Sequence, residues 1–508
     1  WLCIHLPALP LEVFERGGED IPAMTVGGAG PRAEVLVCNR AARGHGIGPG
    51  MAAGDARARV APGDGLRVFQ RDERAEGQAL WGIAAWAMQF TPEISLAPPD
   101  NILLEVQGSL GLFGGVEALA RRVREGMGKL GFRPVLGLGP TPLLATFLAR
   151  GGGTAPVIAT ETPAAALGPL PLGVLGLSGP ELGLLEGLGI ATVGGLLRLP
   201  RAGFAHRLGP ALVSLLDRAL GRTPDPRPRF EPPARFETRL DLPEEVHTLE
   251  PLLFAARRML FELHGFLVAR RAGVRRLTWQ LLHACGQDTP IHPTVIHPTV
   301  TVIEMGLLAP SRDPEHLLGL FRERLNGLSL RAPVRALLMR TEAIAPLAET
   351  PLGLWPLEGN GPRGPEEGPR RLIERLRARL GESAVAGLYA VADHRPERAW
   401  RPCPPAEHTA APPVGGSARD PNRPHRVIRV LPLWLLKEPR PLSHQDGRPY
   451  LCGPLEAESG PERIESGWWD GQDIARDYFV ARDPHGARFW IYRDLGDASA
   501  WYLHGVFD

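Results

Sequence analysis

The sequence predicts a multidomain α+β protein. At 508 residues the chain is several times the roughly 100–200 residues of a typical domain. Short β-like runs alternate with helical spacing through about residue 165, and a wholly helical stretch follows to about residue 225. The closing stretch, Asp477 to Phe507, is aromatic and alternating, as in a small β-rich module. With 44% hydrophobic and 22% charged residues the chain can bury cores. The net charge of +1 points to no partner, so only local charge can. No apolar run approaches the roughly 18–20 residues of a membrane span and no signal peptide is visible, so no membrane partner is expected. Cys3, Cys38, Cys285, Cys403 and Cys452 are scattered without a Cys-x-x-Cys pair. That argues against a zinc ribbon or a disulfide scaffold and fits a reducing cytoplasm. Gly and Pro are abundant, and Lys129 and Lys437 are the only lysines, a bias that fits GC-rich coding and weakens Gly and Pro as punctuation. The chain starts at Trp1 instead of Met, and a short stretch is expected to precede it.

Each element follows from local pattern. Leu2 to Leu6 reads as a strand, Leu11 to Arg16 as a helix and Ala33 to Cys38 as a second strand. Asn39 to Met51 is small, polar and Gly-rich, a turn or short helix. Asp72 to Phe90 has helical spacing through Leu80, Ile83 and Trp86. Asn101 to Val106 and Pro134 to Leu138 are β-like, whereas Gly115 to Leu130 and Pro142 to Arg150 are helical. Between 230 and 345, β-like runs at Arg275 to Leu282 and Thr294 to Met305 mix with helical stretches near 246–268 and 314–325. Ile-His-Pro-Thr-Val occurs twice in tandem, at 291–295 and 296–300, most simply a loop slippage. Residues 346–370 and 402–425 are Pro/Gly-rich and read as linkers. Between them Leu372, Leu376 and Leu380 form one apolar stripe on a charged helix. Asp483-Pro-His-Gly486 reads as a hairpin turn.

Four segments occur in an order and spacing that resembles the Y-family DNA polymerases, the translesion class. Asn39-Arg40-Ala41-Ala42-Arg43, followed by Gly46-Ile47 and Gly50-Met51, resembles a fingers motif in which a Tyr and an Arg touch the incoming triphosphate. Arg43 matches the Arg, and Arg40 replaces the Tyr. Asp100 to Ser109, followed by Leu112-Phe113-Gly114, resembles the palm strand with two catalytic carboxylates. Gly137 to Ala149 resembles the Lys-bearing motif G-I-A-x-N-K-x-L-A-K, without its Lys. Leu184 to Pro200 (LLEGLGIATVGGLLRLP) resembles a thumb that ends in a helix-hairpin-helix. The resemblance implies a polymerase-like right hand: palm and fingers over 1–165 (fingers about 17–75), thumb over 166–230 and little finger over 231–345. A Pro-rich linker over 346–370 and a partner-binding region over 371–508 would complete the chain.

Phosphoryl transfer in this family uses two Mg²⁺ ions bridged by acidic side chains. The family's first Asp lies in the opening strand, which here reads Ile4-His5-Leu6-Pro7-Ala8-Leu9 and holds no carboxylate. Asp100 matches the palm Asp, but Asn101 stands at the neighbouring Glu position. Three acidic positions have become one. Asp100, Asn101 and Arg43 are therefore expected to be degenerate remnants, with no catalytic residue, metal or other cofactor. Glu12 and Glu105 align with non-catalytic positions. A degenerate Y-family polymerase with a long C-terminal extension resembles the DinB/UmuC-like homologues of bacterial mutagenesis cassettes. Leu6 to Arg16, Asp393 to Ala399, Gly460 to Ile464 and Gly467-Trp468-Trp469 are similar to those homologues too. That resemblance implies a non-catalytic adaptor in SOS-induced translesion synthesis and DNA repair, cytoplasmic and nucleoid-associated. Its partners would be primer-template DNA, the β sliding clamp, an error-prone DnaE-type polymerase and a RecA-like protein. The competing reading is an active polymerase with displaced Mg²⁺ ligands. A third is a DNA-binding structural protein without partners.

The remaining features each admit two readings. The hairpin of Gly187, Gly189, Thr192 and Gly194 could offer backbone N–H groups to a DNA phosphate, or be a tight helix–helix turn. Residues 201–280 carry fourteen Arg against nine acidic residues, with pairs at Arg270-Arg271 and Arg275-Arg276. Such a run grips phosphate through the guanidinium fork or is a solvated face. Leu352, Leu354 and Trp355 match a clamp-binding peptide, with Pro351 where its leading Gln belongs. Packing of that Trp onto the body is the alternative. Asp393, His394 and Glu397 complete no ligand set. The terminal aromatics suit either a core or a partner-binding face.

Overall fold

The computed structural model describes residues 1–17, 20–28, 30–61, 63–152, 157–158, 162–201, 208–284, 300–330, 332–347, 367–405, 431–445, 447–496 and 500–507. The chain forms two compact units, Trp1–Arg379 and Leu380–Asp508. Leu352, Leu354, Trp355, Cys285 and nearly all of the tandem pentapeptide lie outside the described residues. Among the described residues no helix is long and apolar enough to cross a membrane.

The first unit opens with β1 (Leu2–His5) and the short helix α1 (Leu9–Glu12). A small sheet follows, of β2 (Ala23–Gly27), β3 (Glu34–Cys38) and β4 (Arg67–Gln70), in the order β3-β2-β4. Helices α2 (Arg40–Gly44) and α3 (Ala53–Ala58) close its separate core through Ala42, Ala53 and Ala56. Next come α4 (Glu73–Ala87), β5 (Ile94–Ala97), β6 (Asn101–Leu104), α5 (Leu110–Phe113), α6 (Val116–Leu130), β7 (Val135–Leu138), α7 (Pro142–Gly151) and β8 (Val157–Ile158). Asp72 starts α4 by accepting from the N–H groups of Arg74 and Ala75.

The main sheet has the order β5-β6-β1-β7-β8, antiparallel except for β7–β8. Strand alternation divides its two faces. Leu2, Ile4, Ile102 and Leu104 enter the core formed with Ile83, Trp86, Val123 and Met127 of α4 and α6. Cys3 and Leu103 turn the other way, against Ala145 and Ala149 of α7. His5 and Asn101, cross-strand partners, continue that second face at its end.

The helical stretch comprises α8 (Pro163–Leu167), α9 (Gly179–Gly187), α10 (Val193–Leu197) and α11 (Pro210–Ala219). Leu167, Leu185, Val193 and Leu216 pack there with Leu144 and Phe147 of α7. Beyond it, β9 (Glu237–Val246), α12 (Leu249–Ala269), β10 (Ala272–His283), β11 (Val300–Ser311), α13 (Pro314–Asn326) and β12 (Val334–Pro346) build an antiparallel sheet of order β11-β10-β12-β9. Its apolar face shares one core with the main sheet's helices. Trp86 is the plug. A Cβ at Gly126 would stand 2.2 Å from its ring, and one at Gly265 2.4 Å, so α6 and α12 meet it through glycine. Helix α14 (Glu367–Leu380) ends this part of the chain.

Several local expectations change. The helix expected at Leu11 to Arg16 is α1 instead, because Pro10 suits a first helical turn. Strands β2, β9 and β12 were not anticipated. Pro243 and the Glu244-Glu245 pair disguise β9, which is tolerated because it is an edge strand. The stripe Leu372, Leu376 and Leu380 faces solvent and is not covered.

In the second unit β13 (Gly387–Ala390) pairs with β14 (Trp400–Cys403). A six-stranded antiparallel sheet holds β15 (Trp434–Gln445), β16 (Arg448–Tyr450), β17 (Glu456–Ser466), β18 (Ile474–Arg482), β19 (Arg488–Asp494) and β20 (Trp501–Val506), in the order β16-β15-β20-β19-β18-β17. Ala481, Ile491 and Leu503 gather on one face, and Val480, Trp490 and Tyr492 on the other. The expected hairpin turn joins β18 to β19, with Asp483 accepting from the N–H groups of His485 and Ala487.

Candidate active site and nucleic-acid interface

The end of the main sheet brings together the positions where the resemblance places catalytic carboxylates. The register sets His5 of β1 opposite Asn101 of β6. His5 Nδ1 lies 3.1 Å from Asn101 Oδ1 and 3.6 Å from Asp100 Oδ2. Both are acceptors, so Nδ1 carries the proton. The Asn101 amide donates to Asp100 Oδ1 at 2.6 Å, and the Cys3 thiol reaches Asn101 Oδ1 at 3.6 Å. Burial pulls the His5 pKa below its ordinary value against the opposing pull of Asp100, so His5 is neutral near pH 7. Burial pushes the Cys3 thiol up to about 12. The cluster is a closed hydrogen-bonded chain with one carboxylate.

This donor set does not fit a pair of divalent cations. Such ions need several oxygen ligands and negative charge, and here an amide and a neutral imidazole flank the single Asp100. Among the described residues no group of three or more His, Cys, Asp or Glu side chains could hold a metal ion. Glu12 and Glu105 are engaged at other backbone groups, the N–H of Arg133 and of Gln107. His5 was missed as a participant in the sequence. Its signal was available, because period-two alternation turns it to the same face as Cys3.

The fingers-like motif divides between structure and surface. Asn39 caps α2 by accepting from Ala42 N–H, also accepts from Ala23 N–H, and donates to Ile21 O. It ties α2 to β2. Arg40 and Arg43 are exposed on α2.

The hairpin corrects one expectation. Gly187 ends α9, and Gly189 turns the chain with φ +75°. The first three N–H groups of α10 are already bound: Val193 to Leu170 O, Gly194 to Gly168 O, and Gly195 to Thr192 Oγ1. The Gly189 N–H is donated to Glu186 O. The donors of Gly189 and Gly194 are thus used within the protein, as in the tight helix–helix turn, because α10 leans on the turn after α8. Leu184 and Leu188 stand exposed beside it.

The Arg270 guanidinium lies over the Phe266 ring and donates to the carbonyls of Phe266 and Pro233. It is occupied where a phosphate ligand was expected. Arg271 is exposed, at φ 51° just after α12. On the sheet face turned from the helices, Arg340 lies in register with Thr278 and Glu304, and Arg239 pairs with Asp241. That face carries mixed charge.

In the second unit the Asp393–Ala399 segment is a set of braces. The Arg395 guanidinium, almost wholly covered, donates to Asp393, Asp470 and Gln472 O and lies over the Trp469 ring. Arg398 also donates to Asp470, and Glu397 accepts from Arg476. Trp468 and Trp469 remain exposed on the loop so fixed.

Residues 20–150 match the impB/mucB/samB family. Protein ImuB of Caulobacter vibrioides, from two strains (NA1000 / CB15N and ATCC 19089 / CIP 103742 / CB 15), is 28% identical over 482 residues, covering 91% of this chain and 100% of the relative. The chain is similar to ImuB along nearly its whole length. Its fold is Y-family polymerase-like, with a β-rich C-terminal module. Solved structures with likeness include DinB from Sulfolobus solfataricus, 18% identical with a TM-score of 0.37, covering 67% of this chain and 98% of that one. An insertion ternary complex of Dbh DNA polymerase is 18% identical with a TM-score of 0.38, covering 68% and 99%.

Proposed function

We propose that this ImuB-like chain is a polymerase-shaped protein that does not itself catalyse nucleotide transfer and uses no metal cofactor. It acts as an adaptor in damage-induced translesion synthesis. The observation that carries this reading is the His5–Asn101–Asp100 chain. The opening strand supplies the neutral His5 and no carboxylate, Asn101 stands at the Glu position, and Asn101 accepts from His5 and donates to the single Asp100. Without several anionic oxygens at that end of the sheet, metal-assisted attack on a triphosphate lacks its charge stabilisation.

The body would rest on primer-template DNA through exposed arginines such as Arg43 and Arg271. Leu352, Leu354 and Trp355 would engage the β sliding clamp as an extended peptide in an apolar groove. The region beyond the linker would recruit an error-prone DnaE-type polymerase and the RecA-like ImuA. The alternative, an active polymerase with displaced ligands, stands on Asp100 alone.

The deciding experiment is dNTP incorporation by the purified chain on a primed template, with Mg²⁺ or Mn²⁺, beside an active Y-family enzyme. The adaptor reading expects primer-template binding without incorporation. Incorporation that vanishes in Asp100→Ala would establish the alternative. Clamp binding measured in parallel should weaken in Trp355→Ala.

A further inference from the structure

We propose that α14 is a docking helix whose outward leucine stripe receives an acidic amphipathic helix of a partner protein. The inference does not depend on whether the palm is catalytic.

Helix α14 packs inside out. Its inner face is polar and specific. Glu374, 6% exposed, accepts from His316 Nε2 at 2.6 Å and from the Leu308 N–H at 2.7 Å. Arg371 donates to Asp313 at 2.8 Å and Arg375 to Glu323 at 2.9 Å. Only Ala378 packs against the hydrophobic core. The apolar stripe lies on the opposite side, with Leu372, Leu376 and Leu380 exposed by 57%, 39% and 60%. Rotating the helix to cover the leucines would strip Glu374 of both partners in a buried site, which costs more than a leucine stripe in water. The buried polar contacts therefore fix the rotation that presents the stripe.

The occupant follows from shape and charge. Leucines at i, i+4 and i+8 form a ridge about two turns long, which fits the groove of another helix. They offer nothing to a phosphate. Exposed Arg379 borders the stripe, and Arg375 beside it is shared with Glu323. A second copy of α14 would set arginine against arginine, whereas a helix with apolar residues bordered by Asp and Glu would meet both requirements.

The test uses the full chain and two synthetic helical peptides, with leucine heptads flanked by Glu in one and by Lys in the other. Fluorescence anisotropy should show binding of the Glu peptide and not of the Lys peptide. Leu376→Asp should weaken it by about tenfold or more while the circular dichroism and melting curve stay unchanged. Arg379→Glu should shift the preference toward the Lys peptide. Equal binding of both peptides, no binding of the Glu peptide, or indifference to Leu376→Asp overturns the proposal. Single-stranded DNA or phosphatidylglycerol vesicles that bind and are lost in Leu376→Asp would overturn it too, assigning the stripe to those ligands. DNA synthesis is not measured, so this outcome is separable from the adaptor reading.

Discussion

Glu12 in the polymerase-like unit and His504 in the C-terminal module are both buried, and each has one atom satisfied and one without a partner. Glu12 Oε1 accepts from the Arg133 N–H, and its Oε2 has none. His504 Nδ1 meets the Tyr478 hydroxyl at 2.8 Å, and its Nε2 has none, with Glu397 Oε2 3.8 Å away. Burial drives both toward the neutral form. It pushes Glu12 up to about 7 and pulls His504 down to about 4. Being an acid and a base, the two groups respond to pH with opposite sign. Desolvation alone predicts which form survives, and the chemistry of the group decides whether acid helps or harms its unit.

The largest test asks whether the two units are independent at all. Trp86→Ala should cost the first unit about 3–5 kcal/mol through the cavity it opens. The transition reported by the aromatic cluster of the second unit should not move. Scanning calorimetry with segment-resolved hydrogen exchange reads both. A shift of both transitions would end the comparison.

Next in size is the pH response itself. Folded Glu12 takes up its proton above the unfolded value of 4.5. Its contribution is therefore fully present below about 4.5 and is lost as pH rises through about 7. His504 titrates below the unfolded value of 6.5. Its contribution is present above 6.5 and is lost as pH falls toward about 4. Each full shift is on the order of 3 kcal/mol. Acidification from pH 7 to 5 should raise the first transition and lower the second, with Glu12→Gln flattening one slope and His504→Gln the other. A further loss in the second unit should set in below pH 4. There the unfolded chain protonates Asp393 near 3.8 while Arg395 holds the folded group down to about 2, so the contribution is lost as pH falls through that range, and Asp393→Asn should remove it.

The smallest test is local. Thr192→Ala removes the hydroxyl cap on Gly195 N–H and should cost about 1 kcal/mol. It should also raise amide exchange across α10 without altering either pH slope. Unchanged exchange would mean that the contacts of α10 with α8 hold the hairpin by themselves.

Much of the fold was legible because it is written in local periodicity. Helices α4, α6 and α12 and strands β1, β6, β7 and β10 all follow spacings of 3.6 or two residues. Edge strand β9 was not, because pairing can override its Pro and Glu content when a neighbouring strand supplies the partner. At the candidate site the loss of carboxylates was visible in residue type. The replacement network was not, because it depends on register between strands almost a hundred residues apart.

By itself, the sequence determined many of the helical and extended segments, that one carboxylate stands where three are implied, and that about the first 230 residues resemble a polymerase. Only the tertiary structure decided that His5 meets Asn101, that the Gly189 and Gly194 donors and the Arg270 guanidinium are already engaged, and that α14 turns its leucines outward. The reason is common to all of these. Periodicity tells a helix that it has an apolar face, but whether that face or a buried Glu374 wins is settled by the partners that the rest of the chain brings within reach.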